Sequence, residues 1–425
     1  MTLRREDPIK TLSIDWLTVG LYFAIVFLGL LNIFAVTYEE GQSIFNVNLN
    51  SFRQLIFIAA SCLVIFVILI IDRQFYETVA YIIYGLMLFV LLLVPLFGKE
   101  VGGNRAWLEM GPFSLQPSEF AKFATALAVG KFIGTIGFKM DNMKNQAILF
   151  ILIGAPMILI LLQKDTGTAL VFTVFVVVFF REGMSPFLIL VGIGAAVIFV
   201  LTLLVENHIY LYTGIVALWL AAILMGRKKV KRIVLLTLGA ITIAGVILSV
   251  DYIVTEVLRP HQQNRVKALI NPDADPKGFG WNVTQSKIAI GSGRFLGKGF
   301  LQGTQTKYDF VPEQSTDFIF CTIGEEHGWI GSFFTISLFV ALMLRVIFLA
   351  ERQKHRFARV YGYSVACIFF FHFAVNIGMT IGLFPVIGIP LPFFSYGGSS
   401  LLGFTVLLFI LIKLDSHRMQ VLQRL

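Results

Sequence analysis

The sequence predicts an all-α bundle of about twelve helices that crosses a membrane many times, and three observations carry that expectation. Hydrophobic residues make up 57% of the 425 and charged residues only 14%, whereas a soluble globular chain carries roughly a quarter charged. The apolar runs recur almost without pause, as in LIFIAASCLVIFVILII and AILFILIGAPMILILL, and a helix needs about twenty such residues to span a bilayer. These runs do not alternate apolar with polar residues, which excludes an outer-membrane β-barrel. The whole of 1–425 is therefore read as a single integral membrane domain.

The opening MTLRREDPIKTLSIDW is charged before its first apolar run and has no small-residue cleavage site, so it reads as a retained segment rather than a removed signal peptide. Membrane helices are expected over 16–36, 54–71, 79–97, 118–137, 147–162, 168–180, 186–205, 210–225, 233–254, 319–344, 360–383 and 397–413. The sixth, TALVFTVFVVVFF, is short for a hydrocarbon core of about 30 Å at about 1.5 Å per residue. It is counted because omitting it would place the basic turn GRKKVKR outside, against the preference of Lys and Arg for the cytoplasmic face. The same rule puts both termini in the cytoplasm. It also explains the net charge of +9 as membrane orientation rather than nucleic-acid binding.

Residues 256–317 remain as one large extracytoplasmic loop. Its VPEQSTDFIF and GSGRFLGKGF segments and its aromatic residues are richer in packing groups than a flexible linker. The glycine-rich stretch does not have the spacing of a phosphate loop. Cys62, Cys321 and Cys367 lie in or beside apolar runs and imply no disulfide framework. The six scattered histidines include no pair at i, i+4 and imply no structural zinc site.

Charges inside such a chain are the functional candidates. Glu119 and Lys122 stand at i, i+3 near the start of an apolar helix, after a Pro117-Ser118 entry. They form either part of a site or an ion pair that orients two helices. Arg105, in GGNRAW, can hold a phosphate or anchor Trp107 at the headgroup layer. Asp165 either lines a site or caps the short sixth helix together with Thr166. Asp317 closes the large loop immediately before Phe318-Ile319-Phe320, where water gives way to hydrocarbon, a place suited to a general base. Its plain alternative is a cap on the helix that follows. Glu325 and Glu326 serve either helix packing or chemistry. The hairpin GLFPVIGIPLPFFSYGGSSLLG, dense in Pro and Gly, reads as a wall or gate of an outward-facing site, because irregular backbone at membrane depth survives only where it is buried or lines a cavity.

Taken in order, GGNRAW, QPSEFAKFA, QKDTGTA, QNRV, QSKIAIGSGRFLGKGFLQGTQ, VPEQSTDFIF, GEEHGWIG and NIGMTIGLFPVIGIPLPFFSYGGSS resemble the shape, elongation, division and sporulation (SEDS) family, polytopic peptidoglycan glycosyltransferases typified by RodA and FtsW. The GTQ ahead of VPEQSTDF is more similar to the RodA branch. The resemblance places the family's catalytic aspartate on Asp317, its membrane glutamate and lysine on Glu119 and Lys122, its QPDxGTA aspartate on Asp165, and its two loop arginines on Arg105 and Arg265. The chain departs from the pattern twice. Ser315 stands where many members have His, so a proton-relay role there has no support. Members usually have ten membrane helices, and here 206–255 reads as an inserted pair, whose even number preserves the side of everything downstream.

The resemblance implies polymerisation of lipid II during cell elongation and shape maintenance, at the outer face of the bacterial cytoplasmic membrane. The acceptor 4-hydroxyl attacks the anomeric carbon of a lipid-linked glycan, and undecaprenyl pyrophosphate leaves. Asp317 would be the base; Arg105, Lys122 and Arg265 would be candidates to offset the pyrophosphate charge. No cofactor is certain; a divalent cation such as Mg or Mn could share that task. A class B penicillin-binding protein is the implied transpeptidase partner, beside other cell-wall elongation proteins. A flippase or carrier of lipid-linked precursors is the alternative, since paired intramembrane charges and interrupted helices also describe transporters.

Overall fold

The amide hydrogen bonds of an apolar chain in a bilayer have to close within the segment itself, and the computed structural model shows how this one does so. It describes residues 14–38, 49–101, 103–111, 113–205, 207–225, 230–252, 263, 279–308 and 310–416. The helices up to the first polar interruption are α1 (Trp16–Thr37), α2 (Asn50–Ile70), α3 (Arg73–Thr78) and α4 (Ala80–Phe97). After a small sheet come α5 (Pro117–Gly134), α6 (Met143–Leu162), α7 (Thr166–Val171), a 3₁₀ turn over Phe172–Val174, and α8 (Phe175–Arg181). The middle of the chain forms α9 (Phe187–Leu204), α10 (Ile209–Leu224) and α11 (Val230–Tyr252). The last part forms α12 (Phe279–Ser292), α13 (Thr304–Lys307), α14 (Ile319–Glu351), α15 (Arg356–Thr380) and α16 (Gly398–Ser416).

All twelve expected segments are helical. Eight helices among the described residues are long and apolar enough to cross a membrane. Thr166–Arg181, Phe187–Thr202 and Ile209–Leu224 are shorter apolar helices, and α5 carries three charges, Glu119, Lys122 and Lys131. Local chemistry sets the helix starts. The Asp15 carboxylate accepts from the Thr18 amide at 3.1 Å at the head of α1, Pro117 occupies the first turn of α5, and Asn142 caps α6 through the Lys144 amide at 2.9 Å.

The sequence reading did not include the three-stranded antiparallel sheet between α4 and α5, made of β1 (Lys99–Val101), β2 (Asn104–Met110) and β3 (Phe113–Leu115) in that order. Leu108 pairs with Leu115 and Glu109 with Ser114 across its second ladder. The turns run through Gly103 at φ 83° and Gly111 at φ 67°, conformations that glycine adopts without steric cost.

The chain divides into two compact units. One comprises Met1–Met184, Gln285–Ile381 and Ile387–Leu425; the other comprises Ser185–Thr284 with Gly382–Val386. The core of the first is aromatic around Tyr22, Phe369, Phe393, Phe404 and Phe409, whose rings meet edge to face at 5.0–5.9 Å. The second contains the helix pair α10 and α11, joined by a hydrogen bond from Trp219 Nε1 to Thr237 Oγ1 of 3.1 Å. No residue of α10 is buried, as expected of a helix whose faces meet lipid. Of the basic turn GRKKVKR, residues 226–229 lie outside the described residues.

Candidate active site

The VPEQSTDF segment winds into consecutive turns rather than running straight into α14. The amides of Thr316, Asp317 and Phe318 all converge on the carbonyl of Glu313, at 3.2, 3.1 and 3.2 Å. Glu313 itself has φ 56°, which is rare for a residue with a side chain and recurs at functional sites. The cap position of α14 falls on Phe318, which makes no side-chain cap hydrogen bond. Asp317 therefore stands one residue ahead of the cap position.

Two elements fix the backbone around Asp317. From α15, Asn376 Nδ2 donates to the carbonyls of Asp317 at 2.9 Å and Ile389 at 2.8 Å. From the segment 387–397, Ser395 Oγ donates to the Thr316 carbonyl at 2.6 Å, and the Tyr396 amide donates to the Ser315 carbonyl at 2.9 Å. In the same segment Gly388 has φ 77°, and a Cβ on it would lie 3.2 Å from Asp317 Oδ2. The Pro/Gly hairpin thus supplies a wall beside the carboxylate.

The opposite wall begins at the sheet. The Gln116 amide donates to Ser399 Oγ at 3.0 Å, and Gln116 Nε2 donates to Asp165 Oδ2 at 2.9 Å. Asp165 does what a cap does, accepting from the Thr168 amide at 3.1 Å and Thr168 Oγ1 at 2.8 Å. It also lines the same cavity as Asp317.

Between these walls lies a cavity of about 220 Å³, lined by Glu119, Asp165, Glu313 and Asp317 together with Asn104, Trp107, Gln116, Thr168, Tyr396 and Ser399, among others. Four of its lining residues are carboxylates, and among the described residues no Lys, Arg or His lines it. Such a surface suits proton acceptance and hydroxyl binding, and it offers no fixed positive charge to a phosphate.

Lys122 is brought close to this space but turned away from it. Its ammonium donates to Glu119 Oε2 at 2.8 Å, stands 3.0 Å from His372 Nε2, and lies 4.4 Å above the centre of the Phe404 ring. Lys122 is fully buried and Glu119 nearly so. The pair is thus internal to the bundle, with only Glu119 reaching the cavity lining. Arg105 projects outward: its side chain is 53% exposed, with Nε 3.9 Å from Glu100 Oε2. Arg105 is absent from the cavity lining, although its amide joins the sheet to the Gln163 carbonyl at 3.0 Å. Arg265 lies outside the described residues.

Glu325 serves packing. It gathers Lys298 Nζ at 2.6 Å and the amides of Thr304, Gln305 and Thr306 at 2.8, 2.9 and 3.0 Å, and so pins the GTQ turn against α14. Glu313, Gln116, Tyr396, His372 and Asn376 were not singled out from sequence. All but His372 stand inside the quoted motifs, Asn376 as the first residue of NIGMTIGLF. His372 and Asn376 share one face of α15 at i, i+4, in a helix otherwise rich in apolar residues, which is the signal that could have found them.

Fold and site together define a polytopic membrane protein that presents an aspartate into a carboxylate-lined cavity. The chain belongs to the FtsW/RodA/SpoVE cell cycle protein family, whose family model matches residues 15–222 and 193–420. It is 34% identical over 362 residues to the peptidoglycan glycosyltransferase MrdB of Escherichia coli (strain K12), covering 85% of this chain and 84% of that one. It is 33% identical over 355 residues to the peptidoglycan glycosyltransferase RodA of Treponema pallidum (strain Nichols), covering 78% and 82%. Among solved structures, a chain from a study of a peptidoglycan synthase complex that coordinates polymerisation and crosslinking is similar, with TM-score 0.71, 27% identity, and 96% and 100% of the two chains covered. The rod shape determining protein RodA of Thermus thermophilus shares the fold, with TM-score 0.62, 24% identity, and 96% and 99% covered.

Proposed function

We propose that this chain is a peptidoglycan glycosyltransferase that polymerises lipid II at the outer face of the cytoplasmic membrane in support of cell elongation and shape. The observation that carries the chemistry is Asp317 standing ahead of the α14 cap and lining the polar cavity beside Gly388. The relatives named as peptidoglycan glycosyltransferases favour this reading over a flippase.

In the proposed reaction the acceptor 4-hydroxyl attacks the anomeric carbon of the lipid-linked glycan. A new glycosidic C–O bond forms as the bond to pyrophosphate oxygen breaks, and the hydroxyl proton passes to Asp317. One direct displacement inverts the anomeric centre. Glu119, Asp165 and Gln116 supply acceptors and an amide that orient sugar hydroxyls, and Glu313 shapes the turn that holds Asp317 in place. A cavity of about 220 Å³ is below the roughly 300–1,000 Å³ of ordinary ligand pockets, so it takes the reacting ends while the remaining sugars and the polyprenyl tails stay outside it.

The leaving pyrophosphate needs positive charge. Lys122 is committed inside the bundle, which leaves Arg105 at the rim and Arg265 in the large loop as the proposed sources. Among the described residues no three His, Cys, Asp or Glu side chains come together to hold Mg or Mn, so no ready-made cage of the type hard cations use is visible there. The likeness to a chain of a peptidoglycan synthase complex supports a class B penicillin-binding protein as transpeptidase partner, and the bias of Lys and Arg among the loops supports both termini in the cytoplasm. The test is direct: purified protein in detergent should convert lipid II into glycan polymer. Transport without polymer, seen only in sealed vesicles, would instead support the flippase.

A further inference from the structure

Resting on the glycosyltransferase reading, we propose that His372 is a positioning residue that ties the buried Glu119–Lys122 pair to the hairpin wall beside Asp317. The imidazole stands between two partners of fixed character. Its Nδ1 is 3.1 Å from the Pro390 carbonyl, and its Nε2 is 3.0 Å from Lys122 Nζ. A carbonyl only accepts and an ammonium only donates, so Nδ1 carries the proton and Nε2 presents its lone pair. His372 is therefore a neutral donor–acceptor bridge. The alternative tautomer would aim N–H at the ammonium and leave the Pro390 carbonyl without this donor.

The bridge has a defined mechanical output. Pro390 lies two residues from Gly388, the backbone that closes on Asp317 Oδ2, and Pro390 and Gly388 both line the cavity. One turn further along α15, Asn376 holds the neighbouring Ile389 carbonyl and the Asp317 carbonyl. The two side chains thus hold consecutive carbonyls of the wall. Asn376 connects it to Asp317, and His372 connects it to the one buried ammonium of α5. The Phe404 ring, edge-on to His372 at 4.7 Å and under Lys122, restricts sideways movement of both. Since a displacement of about 1 Å at a reacting group can cost a factor of about 100 in rate, a bridge that fixes this wall acts on turnover without touching substrate.

The experiment separates the two hydrogen bonds. His372→Asn places an amide N–H near the Nδ1 position and keeps the Pro390 bond but is too short for Lys122. His372→Gln reaches towards Lys122 but loses Pro390, and His372→Phe keeps an aromatic ring and loses both. Polymerisation kinetics on lipid II and backbone hydrogen exchange are measured for all three beside the parent. The expected result is that Phe and Gln lower kcat by roughly tenfold with KM within about twofold and hasten exchange of the amides of 391–396. Asn, which keeps the Pro390 bond but cuts the tie to Lys122, should fall between the parent and Phe in both kcat and exchange. A packing role alone would rank the variants by volume, with Asn the worst. That order, or parental kcat and exchange in all three, would overturn the proposal. If the parent makes no polymer at all, the glycosyltransferase reading fails, and the exchange rates of Asn against Phe and Gln still decide whether His372 holds the wall.

Discussion

The cavity ahead of α14 and the arginine cluster at its C-terminal end treat carboxylates in opposite ways. At that C-terminal end the buried carboxylates among the described residues are clasped by arginine. Asp15 is held by Arg345 and Arg352, Asp415 by Arg352, and Glu182 by Arg356 and Arg359. In the cavity Glu119, Asp165, Glu313 and Asp317 line open space, with no Lys, Arg or His among the described residues of that lining. The first arrangement fixes charge where nothing is to change, tying α1, α14 and α16 together. The second leaves acceptor oxygens facing a cavity, the arrangement that the proposed function uses for proton transfer and hydroxyl recognition. Glu119 and Lys122 stand between these cases, with one partner in the lining and the other sealed beneath it.

If that division is right, the largest loss of stability should come from the sealed pair. Lys122→Ala strands Glu119 in a nearly water-free setting and should cost about 3–5 kcal/mol, while Glu119→Leu with Lys122→Met should cost much less in folding; thermal unfolding in detergent distinguishes them. Equal losses would show the pair to be ordinary packing.

A smaller effect belongs to the clasped end. Burial opposes the charge on Asp15, but hydrogen bonds from Arg345 and Thr18 outweigh it and hold the carboxyl down at about 2. The folded value lies below the ordinary 3.8, so the stabilisation is fully present above that pH and fades as pH falls through about 2. Asp15→Asn should lower stability at neutral pH by about 2 kcal/mol, and the gap between variant and parent should close in acid. A gap independent of pH would remove the ion-pair explanation.

Smallest of all is Arg181 with Glu351, a pair joined at 3.0 Å in which each side chain is about half exposed. Arg181→Ala should change stability by less than about 1 kcal/mol, and salt should reduce even that. Against these, Gly388→Ala should leave the clasped end unaffected while lowering polymer yield by roughly a hundredfold. Its Cβ would crowd Asp317 Oδ2 and its φ of 77° disfavours any side chain.

The helices were legible because apolar runs announce themselves whatever their partners, and even the short sixth segment formed, with a 3₁₀ turn at Phe172–Val174. The sheet was not. Its strands are three to seven residues long and sit among glycines, and pairing depends on which segments meet. Asp165 could be read both as cap and as site residue because each use needs only local sequence. Asp317 as cap or base hangs in the sequence on one residue of helix boundary, which sequence fixes least well. His372 was invisible as a partner of Lys122 because 250 positions separate them, and only folding makes that distance 3.0 Å.

The central claim is that Asp317 accepts the proton of the attacking hydroxyl. Asp317→Asn keeps size and hydrogen-bonding shape and removes the basic carboxylate. In a monodisperse preparation with parental Tm and lipid II binding, it should polymerise lipid II slower than the parent by a factor of about 100 or more. Polymer made at a near-parental rate by that variant would contradict the assignment.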